Sequence, residues 1–126
     1  MEGKVILLVD DDLTLREMYE ERLKTEGFDI IQASNGEEAL AKARESKPNI
    51  ILLDVMMPKI NGFDVLKEIK SDPELKDIPV IILTALIQDV DKLQGKKLGA
   101  ADYIVKSETM PGEVIQKIHA AMGQGK

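Results

Sequence analysis

Short apolar runs separated by amphipathic stretches of helical length leave this chain few folds to choose from. The runs are Val5-Ile6-Leu7-Leu8-Val9, Asn49-Ile50-Ile51-Leu52-Leu53, Pro79-Val80-Ile81-Ile82-Leu83 and Ala101-Asp102-Tyr103-Ile104-Val105. A strand that is apolar on both faces is one that is covered on both faces, as in a parallel sheet between helix layers. Each run also stops on a reactive residue: Asp10, Asp11 and Asp12 after the first, then Asp54, Thr84 and Lys106. Strand ends of one kind share an edge in a parallel sheet, and open α/β sheets bind ligands outside their carboxyl ends. Carboxylates, a hydroxyl and an ammonium are therefore expected at one place, where they suit a hard cation and a phosphoryl group.

The rest of the chain fits alternating units. Strands are expected at about Lys4–Val9, Phe28–Ala33, Asn49–Leu53, Val80–Leu83 and Asp102–Val105. Helices are expected at about Thr14–Glu26, from Ser34 to Ser46, at Gly62–Ser71, at Leu86–Leu98, and as a fifth ending near Met122. Thr14 with Glu17, and Ser34 with Glu37, have capping-box spacing, and Gly27 and Gly99 are helix stops. Val55–Asn61 and the polar stretch Asp72–Asp77 read as loops. Residues 123–126 read as a flexible tail on a single domain with its core at about 4–122. Gly95 sits inside the fourth helix, at a cost of roughly 1 kcal/mol relative to Ala. It serves either close packing or a weak helix that shifts. Phe28 and Phe63 are core candidates.

With 126 residues the chain is one domain, and with 3% aromatics its core must be aliphatic. A net charge of −6 disfavours direct nucleic-acid binding. The absence of cysteine removes disulfides and thiolate metal sites. No run approaches the ~20 apolar residues of a membrane span, and the N-terminus lacks a signal-peptide pattern. A cytoplasmic protein is the expectation.

Asp10, Asp11 and Asp54 converge if the first and third strands are neighbours. Two like charges about 4 Å apart repel by ~4 kcal/mol at an effective dielectric near 20, so the cluster must take up protons or a cation. Oxygen ligands with few protein contributions favour Mg2+, to which the backbone carbonyl of Met56 adds a ligand. One acid is needed as the cap of the first helix, and Asp12 is the candidate. Thr84 can donate to a phosphoryl oxygen, Lys106 offers a compact charge, and Ala85 leaves room.

Asp10-Asp11, Asp54 in Leu-Leu-Asp-Val-Met-Met-Pro-Lys-Ile-Asn-Gly, Thr84-Ala85, and Tyr103 three before Lys106 together resemble the receiver domain of two-component response regulators. The resemblance covers essentially the whole chain. It implies a three-layer, doubly wound, flavodoxin-like (βα)5 fold with a parallel sheet of order 2-1-3-4-5, an order the pattern alone does not supply. It implies that Asp54 accepts a phosphoryl group from a phosphohistidine on a sensor histidine kinase or histidine phosphotransfer protein. Asp11, Asp54 and the Met56 carbonyl would hold Mg2+, or Mn2+ in its place, with Asp10 in support. Thr84, Ala85 and Lys106 would hold the phosphoryl group, and Tyr103 would turn inward as a switch. The surface of the fourth helix, fifth strand and fifth helix would then control a downstream protein target. Chemistry would be limited to Mg-assisted self-phosphorylation and self-dephosphorylation, in a monomer or a phosphorylation-dependent homodimer.

One departure is Ser107, where the family usually has proline; a cis bond before a non-proline costs ~2.5–4 kcal/mol. A trans Lys106–Ser107 bond and a shifted start of the fifth helix are therefore expected. Met56 and Leu86 carry no acid or amide to position a hydrolytic water, which implies a long-lived phosphoryl state.

Two other readings compete. Asp10-Asp11-Asp12-Leu13-Thr14 fits the Asp-x-Asp-x-Thr pattern of haloacid-dehalogenase-type phosphatases, with Asp10 as nucleophile and Asp12 as general acid. That reading leaves Asp54 idle. A flavodoxin would share the topology, but three acids in the first loop would repel its phosphate. His119 reads as a surface residue near a helix C-terminus.

Overall fold

The computed structural model describes residues 4–58 and 60–123. Lys59, in the expected Val55–Asn61 loop, and 124–126 of the expected tail lie outside the described residues. Five strands, β1 (Val5–Val9), β2 (Asp29–Ala33), β3 (Ile50–Leu53), β4 (Val80–Thr84) and β5 (Asp102–Val105), form one sheet. All its pairings are parallel, in the order β2-β1-β3-β4-β5. The helices are α1 (Leu13–Thr25), α2 (Gly36–Ser46), α3 (Gly62–Ser71), α4 (Asp89–Lys97) and α5 (Pro111–Ala121), with a 3-10 turn at Lys106–Glu108. No described helix is long and apolar enough to cross a membrane.

Side chains alternate across each strand and feed two cores. Leu7, Val9, Ile51, Leu53, Val80 and Ile82 pack with α2 and α3 through Leu40, Phe63, Leu66 and Ile69. Ile6, Leu8, Ile50, Leu52, Ile81 and Leu83 pack with α1 and α5 through Tyr19, Leu23, Val114 and Ile118. Phe28 and Phe63 are buried, as expected. The Asp72–Asp77 stretch is not wholly polar in role, because Leu75 is fully buried and pins it to the α2–α3 side.

The helix starts differ from the sequence reading in instructive ways. Asp12 caps α1, its carboxylate accepting from the Leu15 N–H at 3.2 Å, as expected. The Thr14–Glu17 capping box does not form, because Thr14 is already inside the helix. At α2 the cap is Asn35, whose side chain accepts from the Glu38 N–H at 2.8 Å. Glu38, not Glu37, reaches back, accepting from the Ser34 N–H at 2.7 Å and hydroxyl at 2.9 Å.

Helix α4 begins at Asp89 rather than Leu86. The Leu86 carbonyl is taken by the Tyr103 hydroxyl at 3.1 Å, and the Leu86 N–H points to Thr84 Oγ1 at 3.5 Å. Gly95 is the one buried residue of α4. A Cβ there would meet Ile82 Cδ1 at 2.8 Å and the Tyr103 ring at 3.2 Å, so close packing explains this glycine. His119 is half-buried rather than on the surface, its ring 5.6 Å from that of Phe28.

Candidate functional site

The register sets the site. Val9 lies beside Leu53, so Asp10 and Asp54 leave β1 and β3 side by side. The ladder continues through them, with the Asp54 N–H donating to Val9 O at 3.0 Å and the Asp10 N–H to Ala33 O at 3.1 Å. Thr84 lies beside Val105 at the ends of β4 and β5, and Lys106 follows. Sequence reading gathered these residues at one edge, and the structure brings them together there.

Carboxylate oxygens of Asp10, Asp11 and Asp54 all lie within 4.8 Å of one another. The Lys106 ammonium bridges two of them, at 2.6 Å from Asp10 Oδ2 and 3.4 Å from Asp54 Oδ2. Asp10 and Asp54 are only 3% and 5% exposed and Thr84 is fully buried, whereas Asp11 opens to solvent. Three carboxylates against one ammonium leave two formal negative charges, the complement of a divalent cation.

Burial pushes the Asp54 carboxyl above the usual range. Lys106 works against this, Asp10 adds to it, and the Thr84 hydroxyl and Met56 N–H favour the ionised form. Burial alone would lower Lys106, but its hydrogen bond to Asp10 and the charges of Asp54 and Asp10 leave it raised. The two shifts are compatible because the ammonium is committed to Asp10, its nearer partner. Asp54 is thus a buried carboxylate whose pKa is raised although Met56, Thr84 and Lys106 all favour its ionised form.

The loop after Asp54 is folded against it. Met56 N–H donates to Asp54 Oδ1 at 3.1 Å, and Gly62 N–H to Val55 O at 2.9 Å. Asn61 caps α3 by accepting from the Asp64 N–H at 3.1 Å. A Cβ at Gly62 would stand 2.2 Å from the Asp54 carbonyl oxygen, so only glycine lets α3 approach this closely. The Met56 side chain is exposed beside the site.

Ala85 is exposed just past Thr84. Tyr103 is half-buried against Gly95, its hydroxyl pushed up to about 12 by burial, with Asp91 and Asp54 adding. No cis peptide occurs among the described residues, so Lys106–Ser107 is trans, and the 3-10 turn displaces the start of α5 to Pro111. The trans bond still delivers Lys106 to the acids. Asp12 caps α1, is exposed, and lies outside the cluster formed by Asp10, Asp11 and Asp54, so the geometry gives the phosphatase reading no support. Arg16, which donates to the Asp10 carbonyl at 2.5 Å, was not legible as a site residue, since no local spacing marks it.

Comparison with known proteins agrees with this geometry. The transcriptional regulatory protein PhoP of Bacillus subtilis, named for alkaline phosphatase synthesis, is 40% identical over 95% of this chain and 49% of its own length. The chain spans about half the length of such relatives. A Francisella response regulator receiver domain superposes with a TM-score of 0.89 at 29% identity, covering 98% of this chain and 100% of that one. The Mn2+-bound form of response regulator Rcp1 superposes with a TM-score of 0.81 at 35% identity, covering 94% and 93%. A family model described as the response regulator receiver domain matches residues 6–119. With its acids, hydroxyl and lysine converging at the carboxyl edge of a 2-1-3-4-5 sheet, this chain belongs to the response regulator receiver domain family.

Proposed function

We propose that Asp54 is the phosphoacceptor of a signalling switch, loaded from a phosphohistidine on a sensor histidine kinase or a histidine phosphotransfer protein. The observation that carries this is the buried Asp54 carboxylate at the end of the central strand, flanked by two further acids and the Lys106 ammonium. An Asp54 carboxylate oxygen attacks phosphorus, an O–P bond forms, and the P–N bond to the donor imidazole breaks. The electron pair stays on that nitrogen, which is protonated by solvent.

The donor set is all oxygen with one acid open to water, and this fits a hard cation. Asp11, Asp54 and the Met56 carbonyl would hold Mg2+, or Mn2+, with Asp10 in support. When bound, the ion neutralises charge and orients phosphoryl oxygens. The existence of an Mn2+-bound form of the related Rcp1 supports this choice. Lys106, held by Asp10 within reach of Asp54, pairs with the phosphoryl group, Thr84 donates to a phosphoryl oxygen, and exposed Ala85 leaves space for it. Positioning of this kind supplies most of the catalysis in phosphoryl transfer, and nothing else is turned over. With Met56 and Leu86 at the flanks, no side-chain acid or amide stands ready to aim a hydrolytic water, so the phosphoryl state is long-lived.

Phosphorylation pulls Thr84 toward the site. The Leu86 carbonyl and the Tyr103 hydroxyl that it accepts from are linked to Thr84 through the β4–α4 loop. Helix α4 buries only Gly95 and exposes Val90 and Leu93, so it is the least anchored helix and suits a surface read by a downstream protein or a second copy. A kinase partner of this kind places the domain in the cytoplasm.

Acetyl phosphate with Mg2+ tests the assignment. Wild-type protein is expected to gain the mass of one phosphoryl group on Asp54, and Asp54→Asn is expected to gain none. A phosphoryl group mapped to Asp10 would return the phosphatase reading.

A further inference from the structure

Asp10 is fastened at each of its polar atoms. Its N–H donates to Ala33 O at 3.1 Å, and its Oδ1 accepts from the Asp12 N–H at 2.9 Å. Its Oδ2 accepts from Lys106 at 2.6 Å, and its carbonyl from Arg16 Nη1 at 2.5 Å. The last contact belongs to a longer chain. Arg16 Nε donates to Gln32 Oε1 at 2.8 Å, the Gln32 amide donates to Glu20, and Glu20 pairs with Lys24 at 2.9 Å. Lys42 donates to the Gln32 carbonyl at 2.6 Å from the other side. Gln32 stands on the edge strand β2, so both α1 and α2 brace it.

The carbonyl gripped by Arg16 belongs to the peptide that joins Asp10 to Asp11. That peptide plane sets the direction in which the Asp11 carboxylate leaves the backbone. Asp11 is exposed, and it has no hydrogen bond or ion pair among the described residues to aim it otherwise. We propose that Arg16, anchored on Gln32, is a positioning residue that aims Asp11 and fixes Asp10 for metal binding. The inference rests on the reading of these acids as the metal-holding set.

Sign separates positioning from simple charge. Arg16 is a cation near a cation site, so if charge alone mattered, its removal would tighten Mg2+ binding. A positioning residue gives the opposite result, because groups that orient metal ligands typically lose about tenfold or more in affinity when removed. Lysine cannot replace it, having no planar fork to span the Asp10 carbonyl and Gln32 together.

The test is calorimetric titration of Mg2+ into chelator-stripped protein, with the unfolding midpoint of each variant measured in chelator. Arg16→Ala and Arg16→Lys are each expected to weaken Mg2+ about tenfold. Gln32→Met is expected to weaken it by a smaller factor, and the Arg16→Ala/Gln32→Met pair to bind no worse than Arg16→Ala alone, because both act through one contact. Affinity in Arg16→Ala that equals or exceeds wild type overturns the proposal, as does full rescue by Arg16→Lys. If Arg16→Ala does not fold, Gln32→Met decides, and wild-type affinity there overturns it. Wild-type protein that binds no Mg2+ overturns the metal assignment as well, so the two failures are distinguishable.

Discussion

Gly62→Ala is expected to impair the site without removing any side chain from it. A Cβ at this position would lie 2.2 Å from the Asp54 carbonyl oxygen, 2.7 Å from Val55 Cα and 2.9 Å from the Asp54 carbonyl carbon. All three are backbone atoms, so no rotamer change relieves the clash. Ordinary contact begins near 3.4 Å, so α3 and the end of β3 must part by the 1.2 Å that separates 2.2 from 3.4 Å. Overpacking of this kind costs about 3 kcal/mol, even after the gain of up to ~1 kcal/mol in helix propensity. At about 4 °C per kcal/mol for a domain of this size, the unfolding midpoint drops by about 10 °C. A displacement on the order of 1 Å at a reacting group costs about a hundredfold in rate, so phosphorylation of Asp54 by acetyl phosphate slows by about that factor. Thermal unfolding by circular dichroism and phosphoryl incorporation by intact mass, measured below both midpoints, check the two effects separately. Gly112→Ala is the control, since its Cβ meets nothing nearer than Arg22 Nη2 at 3.9 Å; it is expected to be neutral or mildly stabilising. A Gly62→Ala protein that melts within two or so degrees of wild type and phosphorylates at the same rate would refute the close-approach argument.

Glu38 is expected to govern part of the acid stability. The Ser34 N–H, Lys42 and the Ser34 hydroxyl bind its ionised form and hold it down at about 2, against an ordinary value of 4.5. A lowered carboxylate contributes above its unfolded pKa and loses that contribution as pH falls through the folded one. Because the side chain is 37% exposed, solvent screening keeps the ionic part small. Glu38→Ala costs about 1 kcal/mol near neutral pH as its hydrogen bonds from Ser34 are lost, and urea melts at descending pH are expected to show that gap closing between 4.5 and about 2; a constant gap would contradict the assignment. Tyr103→Phe removes the hydroxyl donor to Leu86 O, a bond worth about 1 kcal/mol. Amide exchange at Ile87 to Asp89 is expected to quicken about fivefold, and unchanged exchange there would show that the loop is held by something else.

The strands, and the convergence of the acids, Thr84 and Lys106, were legible because burial on both faces leaves apolar runs, and the residue ending each run is fixed at the sheet's edge by register. The strand order came from resemblance, since apolar runs do not say which neighbour each pairs with. Helix starts were less legible where two cap-competent residues are adjacent. Ser34 and Asn35 offer the same chemistry one residue apart, and the packing of α2, where Gly36 lies against Ile60 and Val65, chooses Asn35. The start of α4 was hidden because a distant phenol competes for the Leu86 carbonyl. Leu75 was missed because one apolar residue among charges carries no periodicity. Arg16 and Gln32 meet across sixteen residues of sequence, and side-chain pairing between a helix and an edge strand leaves no spacing to read.

The bridge from Lys106 to Asp10 spans 96 positions, and that to Asp54 spans 52. The clamp therefore arrives with the fifth strand, the last of the five to emerge from a ribosome. A chain that has not yet delivered β5 would hold Asp10 and Asp54 without the cation they share. If Asp54 is the acceptor proposed above, completing the sheet at β5 is then a condition for charging it.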